Sequence, residues 1–224
     1  ALGGVPATFT LSGLGGTITA QATTNTAGFA TATSVIALPP GGYSLTVTSE
    51  RSGAFAPASV TVPYEVLSLE GAVESAADDL ATLIAAATRP GARSALQAAL
   101  DDLIGNNDGA GTNGALDKLD DDPAGAITKL RAALSDLLEA EARGAGDLSQ
   151  LERLLGLTAE AIAAEQYEKA KDAVGTNPSR GEADALARIL ADIETGRAQL
   201  RAGQPLDACD NFRRATRRAL DLSR

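Results

Sequence analysis

The sequence contains no histidine, tryptophan or methionine, and a single cysteine, Cys209. Without histidine, the usual general base near neutral pH and the commonest ligand for zinc and copper are both missing. A Ser-His-Asp or Cys-His site therefore cannot be assembled from this chain alone. Chemistry is left to carboxylates, to Lys118, Lys129, Lys169 and Lys171, and to the one thiol. A lone cysteine cannot close an intrachain disulfide. Between Ala208 and Asp210, in a helical pattern, Cys209 reads as a small buried side chain, with no neighbour that would lower its pKa. Aromatic residues are scarce at four Phe and three Tyr, so a core must be built from thin layers of Ala, Leu, Val and Ile. No run approaches the roughly 20 apolar residues needed to span a bilayer. Ala1 leads straight into a Gly/Val/Thr strand pattern rather than a signal peptide, so the chain is expected to be a mature or excised fragment, which says nothing against secretion.

What is present divides into two halves. At 224 residues there is room for two modest domains, and composition shifts near Val66. Residues 1–66 hold three charges, Glu50, Arg51 and Glu65, among abundant Thr, Gly, Ser and Val. Val5-Pro-Ala-Thr-Phe-Thr-Leu11, Gly28-Phe-Ala-Thr-Ala-Thr33 and Tyr43-Ser-Leu-Thr-Val-Thr48 alternate apolar with small polar residues, the period of strands with one buried face. Turn signals fall at Gly13 to Gly16, Asn25 to Gly28 and Pro39 to Gly42, and strands are expected again at Ala58 to Val62 and Tyr64 to Val66. This spacing predicts an antiparallel β sandwich over 1–66.

Three strings in this half carry a resemblance. Gly4-Val-Pro-Ala-Thr-Phe-Thr-Leu11, Thr24-Asn-Thr-Ala-Gly-Phe-Ala-Thr-Ala-Thr33 and Leu38-Pro-Pro-Gly-Gly-Tyr-Ser-Leu-Thr-Val47 resemble the bacterial immunoglobulin-like (Big-type) domains of surface proteins. The resemblance implies a cell-surface stalk or spacer. It also implies two further strands before the Gly-Val-Pro segment, so the sandwich is expected to be truncated. The missing strands would come from a longer polypeptide or from a partner chain, because an incomplete sandwich leaves unpaired N–H and C=O groups and an apolar face open. Scarce Lys beside abundant Arg, Ala and Gly fits a GC-rich bacterial source.

From residue 67 the period changes. Leu69, Val73, Ala76, Ala77, Leu80, Leu83 and Ile84 recur every three or four residues, as in an amphipathic helix. A second helix is predicted after Arg89-Pro-Gly91, a polar loop over Gly105 to Gly114, and a short helix around Leu116 and Leu119. Asp122 is placed to cap a helix beginning at Pro123, and Asp147 to cap a long helix after Gly144-Ala-Gly146. Helices from about Gly181 to Ala202 and from Pro205 to Leu222 complete an α-helical bundle over 67–224. Leu96-Gln-Ala-Ala-Leu-Asp-Asp-Leu103 is similar to Leu130-Arg-Ala-Ala-Leu-Ser-Asp-Leu137, and Pro123-x-x-Ala-Ile-x-x-Leu-Arg131 to Pro205-x-x-Ala-Cys-x-x-Phe-Arg213. Such repetition fits either two duplicated helical units, 67–143 and 144–224, or the convergence of Ala/Leu-rich amphipathic helices on similar strings. The string Ala198-Gln-Leu-Arg-Ala-Gly-Gln-Pro-Leu-Asp-Ala-Cys-Asp-Asn-Phe212 resembles the small helical domain called FIMAH, found beside Ig-like domains in secreted bacterial proteins; the resemblance supplies no catalytic role.

Two clusters are candidates for chemistry. Oxygen ligands crowd residues 101–122, and Asp102, Asn106, Asp108, Asn113 and Asp117 are the candidate ligands of a weak calcium site on a Gly-rich loop. The spacing is not that of an EF-hand, since Asn106-x-Asp108-Gly109 lacks a Glu at the last ligand position. The alternative is a solvated loop with Asp residues at helix N-termini. In the last helix, Arg213, Arg214, Arg217 and Arg218 form one basic face. It reads either as a phosphate patch or as cations placed at a helix C-terminus and paired with acidic neighbours. A net charge of −10 and the lack of an aromatic platform argue against nucleic acid. A glycosidase carboxylate pair has no support either, without Trp to stack a sugar.

These features lead to one expectation and a runner-up. The chain is expected to be a non-catalytic, extracellular structural or assembly protein of a bacterial cell surface, partnering copies of itself or neighbouring domains. The alternative is an adhesin-like or accessory module that recognises a glycan or surface polymer. No cofactor is expected beyond the calcium considered above.

Overall fold

The computed structural model describes residues 3–13, 16–31, 41–50, 56–106 and 113–224. The chain separates into two compact units, Ala1–Ser68 and Leu69–Arg224. The first holds β1 (Pro6–Gly13), β2 (Gly16–Thr23), β3 (Gly41–Ser49) and β4 (Ala58–Val66). All neighbours run antiparallel in the order β2-β1-β3-β4. Among the described residues there is one sheet and no second leaf.

Alternation sorts the side chains of this sheet into two chemically distinct faces, because successive residues of a strand point to opposite sides. Register aligns Ala20, Phe9, Val47 and Val60 across the four strands, and Ile18, Leu11, Leu45 and Val62 beside them. On the opposite face the same register aligns Thr19, Thr10, Thr46 and Thr61, flanked by Gln21, Thr8, Thr48 and Ser59. The hydroxyls of Thr46 and Thr61 are hydrogen-bonded at 2.9 Å.

Three local outcomes differ from the sequence reading. β2 is a full strand of eight residues that the reading did not single out, because its inward positions, Ile18, Ala20 and Ala22, are mostly small. Residues 28–31, expected to open a strand, are turn and irregular backbone, while 32 and 33 lie outside the described residues. Asn25 explains the turn. Its side-chain Oδ1 accepts the N–H groups of Ala27 at 2.9 Å and Phe29 at 3.0 Å, and its own N–H donates to Phe29 O at 2.8 Å. Gly28 then takes a φ of 88°, which a Cβ would oppose. Finally, β4 runs unbroken through Pro63; among the described residues it is an edge strand paired only with β3, where a missing N–H is tolerated.

The second unit holds α1 (Leu69–Ala86), α2 (Pro90–Ile104), a single 3₁₀ turn (Leu116–Lys118), α3 (Pro123–Ala142), α4 (Ser149–Val174), α5 (Arg180–Arg201) and α6 (Pro205–Leu222). Proline occupies the first turn of α2, α3 and α6, where its fixed φ suits a helix and its lost N–H is no cost. Asp122 caps α3 as the sequence suggests, accepting Gly125 N–H at 2.9 Å. At α4 the cap shifts by one residue: Leu148 is the N-cap, while Asp147 Oδ1 accepts Ser149 N–H at 3.0 Å and Glu141 Oε1 accepts Leu148 N–H at 2.5 Å. α5 opens on a capping box between Ser179 and Glu182.

Leu80, Leu96, Leu103, Ile127, Leu130, Leu134, Leu137, Leu155, Ile162, Ile189, Ile193 and Phe212 are wholly buried in one core. α6 packs against α3, α4 and α5, and α2 against α1 and α3. The similar strings occupy matching positions: Ile127 and Cys209, then Leu130 and Phe212, are pairwise buried at the same turns of α3 and α6. Their shared arginines, Arg131 and Arg213, both reach Asp210 Oδ1, at 3.1 and 3.2 Å. Phe212 is the only Phe in this half of the chain, and Gly196 makes room for it; a Cβ at Gly196 would stand 2.5 Å from the ring. Gly156 admits Leu200 between α4 and α5 in the same way, with a Cβ 2.5 Å from Leu200 Cδ2.

Candidate functional site

The acidic region around the 3₁₀ turn is already neutralised in part. Asp102 Oδ1 forms an ion pair with Lys129 Nζ at 2.7 Å, joining α2 to α3. Asp117 Oδ2 accepts Gly114 N–H at 3.1 Å, and Ala115 N–H donates to Asp102 O at 2.8 Å. Asn106 and Asn113 stand on either side of the interval 107–112, and Asp108 lies outside the described residues. Burial, then the carboxylates of Asp102 and Glu139, push Asp136 above the ordinary Asp range. Among the described residues no three His, Cys, Asp or Glu side chains converge as a metal cage. A cation at this loop would have to compete with Lys129 for Asp102.

The basic face of α6 is drawn into the fold. Arg213 pairs with Asp210. Arg214 Nε lies 3.5 Å from Asp192 Oδ1 and its guanidinium also donates to Asn211 Oδ1, while Arg218 pairs with Asp192 Oδ2. Asp192 is thus a common anchor on α5 for two turns of α6. Arg217 is exposed and helps to lower the pKa of Asp122. In the segment that carries the FIMAH resemblance, buried Asn211 donates its amide to Gln199 Oε1 at 2.5 Å and to Asp207 O at 3.1 Å, which ties the α5–α6 hairpin. Burial pushes the Cys209 thiol up to about 12, with Arg131 opposing and Asp210 reinforcing the shift, so the thiolate that would react is suppressed.

Sequence reasoning missed an open hollow of about 590 Å³ between the first half of α4, the end of α5 and the α5–α6 turn. Leu157 and Leu200 give it apolar surface. Arg197 is held in it by Glu160 and Glu194, each at 2.6 Å. Arg153 and Arg201 line the same hollow without an ion pair or hydrogen bond among the described residues. Glu152 Oε1 is shielded from solvent with no hydrogen-bond partner, and burial, then Glu141 and Asp147, push its carboxyl above the ordinary Glu range. Two unpaired guanidiniums beside leucine side chains suit an anionic group on an apolar body. The sequence carries a trace of each wall, Arg153, Leu157 and Glu160 at four- and three-residue spacing on α4, Arg197 and Arg201 on α5. Only tertiary packing sets them face to face.

The sheet presents a second surface. Val60 and Val62 are 56% and 42% exposed on its apolar face, whereas Ala7 and Tyr43 are buried. Comparison with protein-family models, with curated protein sequences and with solved structures finds no match to this chain.

Proposed function

We propose that this chain is a non-catalytic structural or assembly subunit of a bacterial cell surface, exported to the outside of the cell. The sheet is one leaf of an Ig-like sandwich, and a leaf from another copy or a neighbouring domain completes it. The helices form a bundle that acts as a spacer or docking module. The observation that carries this reading is the two-faced sheet: a mainly apolar face on which Val60 and Val62 remain exposed to water. Burying a valine side chain contributes of order 1.5–3 kcal/mol, so covering this face is a driving force for association. The missing histidine and inert Cys209 support a role without catalysis, and the Big-type and FIMAH-like strings support an extracellular setting.

Light scattering coupled to size-exclusion chromatography, with negative-stain imaging of the same sample, tests the proposal. A defined oligomer, sheet or filament is expected, reduced to a smaller species in the double variant Val60→Lys/Val62→Lys, which charges the apolar face. A chain that stays monomeric up to high concentration would sink it.

The hollow on the helical unit favours a second reading, a binding module for an anionic surface polymer. Retention on isolated cell walls that disappears in Arg153→Ala/Arg201→Ala is the outcome expected of it. Equal retention of both proteins would dismiss it.

A further inference from the structure

We infer that the outer edge of β2 is a strand-pairing site for β2 of a second copy of this chain, antiparallel about a two-fold axis at Ala20. The inference rests on the assembly reading above and names both the surface and its occupant.

The ladder determines which backbone groups are free. Thr24 N–H donates to Val5 O at 3.0 Å and Gly4 N–H donates to Thr24 O at 2.8 Å, so residue 24 turns its polar groups toward β1. Because the direction alternates along a strand, Ile18, Ala20 and Ala22 do the same, and Thr17, Thr19, Gln21 and Thr23 point their N–H and C=O groups away from the sheet. At the other side, Glu50 N–H donates to Pro6 O at 3.3 Å, which turns the even residues of β3 toward β1 and its odd residues toward β4. Register then directs Val60 and Val62 inward and Ser59, Thr61 and Pro63 outward. The two edges are therefore unlike. Pro63 removes a donor from the middle of the β4 edge, a common device against edge pairing. β2 contains no proline and no charged residue, and β1 is its only strand partner among the described residues.

The sequence of β2 fits its own copy. With Ala20 opposite Ala20, Ile18 meets Ala22 on the apolar face, while Thr17 meets Thr23 and Thr19 meets Gln21 on the hydroxyl face. No like charges oppose each other. The outward residues fall opposite outward residues, so about eight backbone hydrogen bonds close across the axis. Both faces continue from one copy into the next, and the paired sheets carry one apolar face twice as wide. Pairing also ends there, since the edges left outside are the two β4 strands that carry Pro63. The assembly closes as a dimer at this edge.

Geometry supplies a direct test. Residues opposite one another in a pair without mutual hydrogen bonds lie with Cα atoms about 4.5 Å apart, within disulfide reach. In the full chain, Ala20→Cys is expected to give a covalent dimer under mild oxidation, and Thr61→Cys, on the β4 edge, is not; buried Cys209 leaves the background low. In sedimentation equilibrium, Thr19→Pro removes an outward N–H without touching the ladder to β1 and is expected to weaken dimerisation at least about tenfold. Thr19→Lys, which keeps the N–H and adds like charge across the axis, is expected to act in the same direction and guards against a folding defect. A monomer at every concentration with no Ala20→Cys cross-link overturns both this inference and the assembly reading. If association survives Thr19→Pro and Thr19→Lys but is lost in Val60→Lys/Val62→Lys, the edge pairing is wrong and the assembly reading stands.

Discussion

At the scale of single residues, the helical core shows where small changes have large effects. Thr216 is wholly buried in α6 and its hydroxyl has no partner, at the position that Leu134 fills in α3. An unmet hydroxyl in an apolar site is unfavourable, and a methyl of the same shape is not. Thr216→Val is expected to raise stability by roughly 1 kcal/mol, read from the midpoint of a urea titration. Gly196 shows the reverse. A Cβ there would sit 2.5–2.8 Å from the Phe212 ring, and neither helix backbone can yield without disturbing the α5–α6 contact. Gly196→Ala is therefore expected to cost about 1–3 kcal/mol in the same titration, despite alanine's better helix propensity. Glu152 adds a pH-dependent case. Its folded pKa lies above the 4.5 of the unfolded chain, so its favourable contribution is complete below 4.5 and disappears as pH rises through the folded value. Glu152→Gln is expected to raise stability slightly at pH 7, by at most a few tenths of a kcal/mol because solvent screens a carboxyl on the open hollow, and the gain should vanish in acid. Equal gains at pH 7 and pH 4 would show that the carboxyl is not perturbed in this sense.

Elements owe their boundaries to capping chemistry that differs from helix to helix. For Asp122, burial raises the pKa, but the Lys118 ammonium and the Gly125 N–H outweigh it and hold the carboxyl below 3.8. Its contribution is then present above 3.8 and lost as pH falls through the folded value. Asp122→Ala is expected to cost about 1 kcal/mol at pH 7, the size of an N-cap. The difference from the parent should close in acid, as thermal unfolding followed by circular dichroism would show. This cap was legible because Asp directly precedes Pro at a helix start. The Ser179 box was equally visible in principle, as Ser with Glu three residues on, yet it follows Gly175-Thr-Asn-Pro178, where loop signals dominate. Strands were harder to read. Residues 28–31 alternate as a strand does, but Asn25 closes a turn on them; β2 carries only a weak strand pattern because alanine fills two of its inward positions.

For the whole molecule, the decisive feature is that two units with different physics share one chain. The wholly buried core of Leu69–Arg224 draws on all six helices and on no strand residue. Residues 69–224 expressed alone are therefore expected to unfold cooperatively, within a few degrees of the helical transition of the full chain. A fragment with helix but no cooperative transition would mean that the helices depend on the sheet unit. The sheet unit is the opposite case, with few buried side chains among its described residues and an apolar face still partly in water. A small domain that buries so little gains by finding a partner.

The sequence by itself determined the change from period two to period three or four, the places where proline, glycine and aspartate start and stop helices, and the exclusion of histidine chemistry. These are local properties, set by backbone sterics and by which side a residue faces. Tertiary structure alone decided the rest. It brought Arg153 and Arg201 to one hollow and spent Arg214 and Arg218 on Asp192. It also placed Pro63 on the outer edge of β4 while leaving the outer edge of β2 without a strand partner among the described residues. Such pairings join residues tens of positions apart, and no local preference encodes which helix face or strand edge will meet another; the packing of the core chooses.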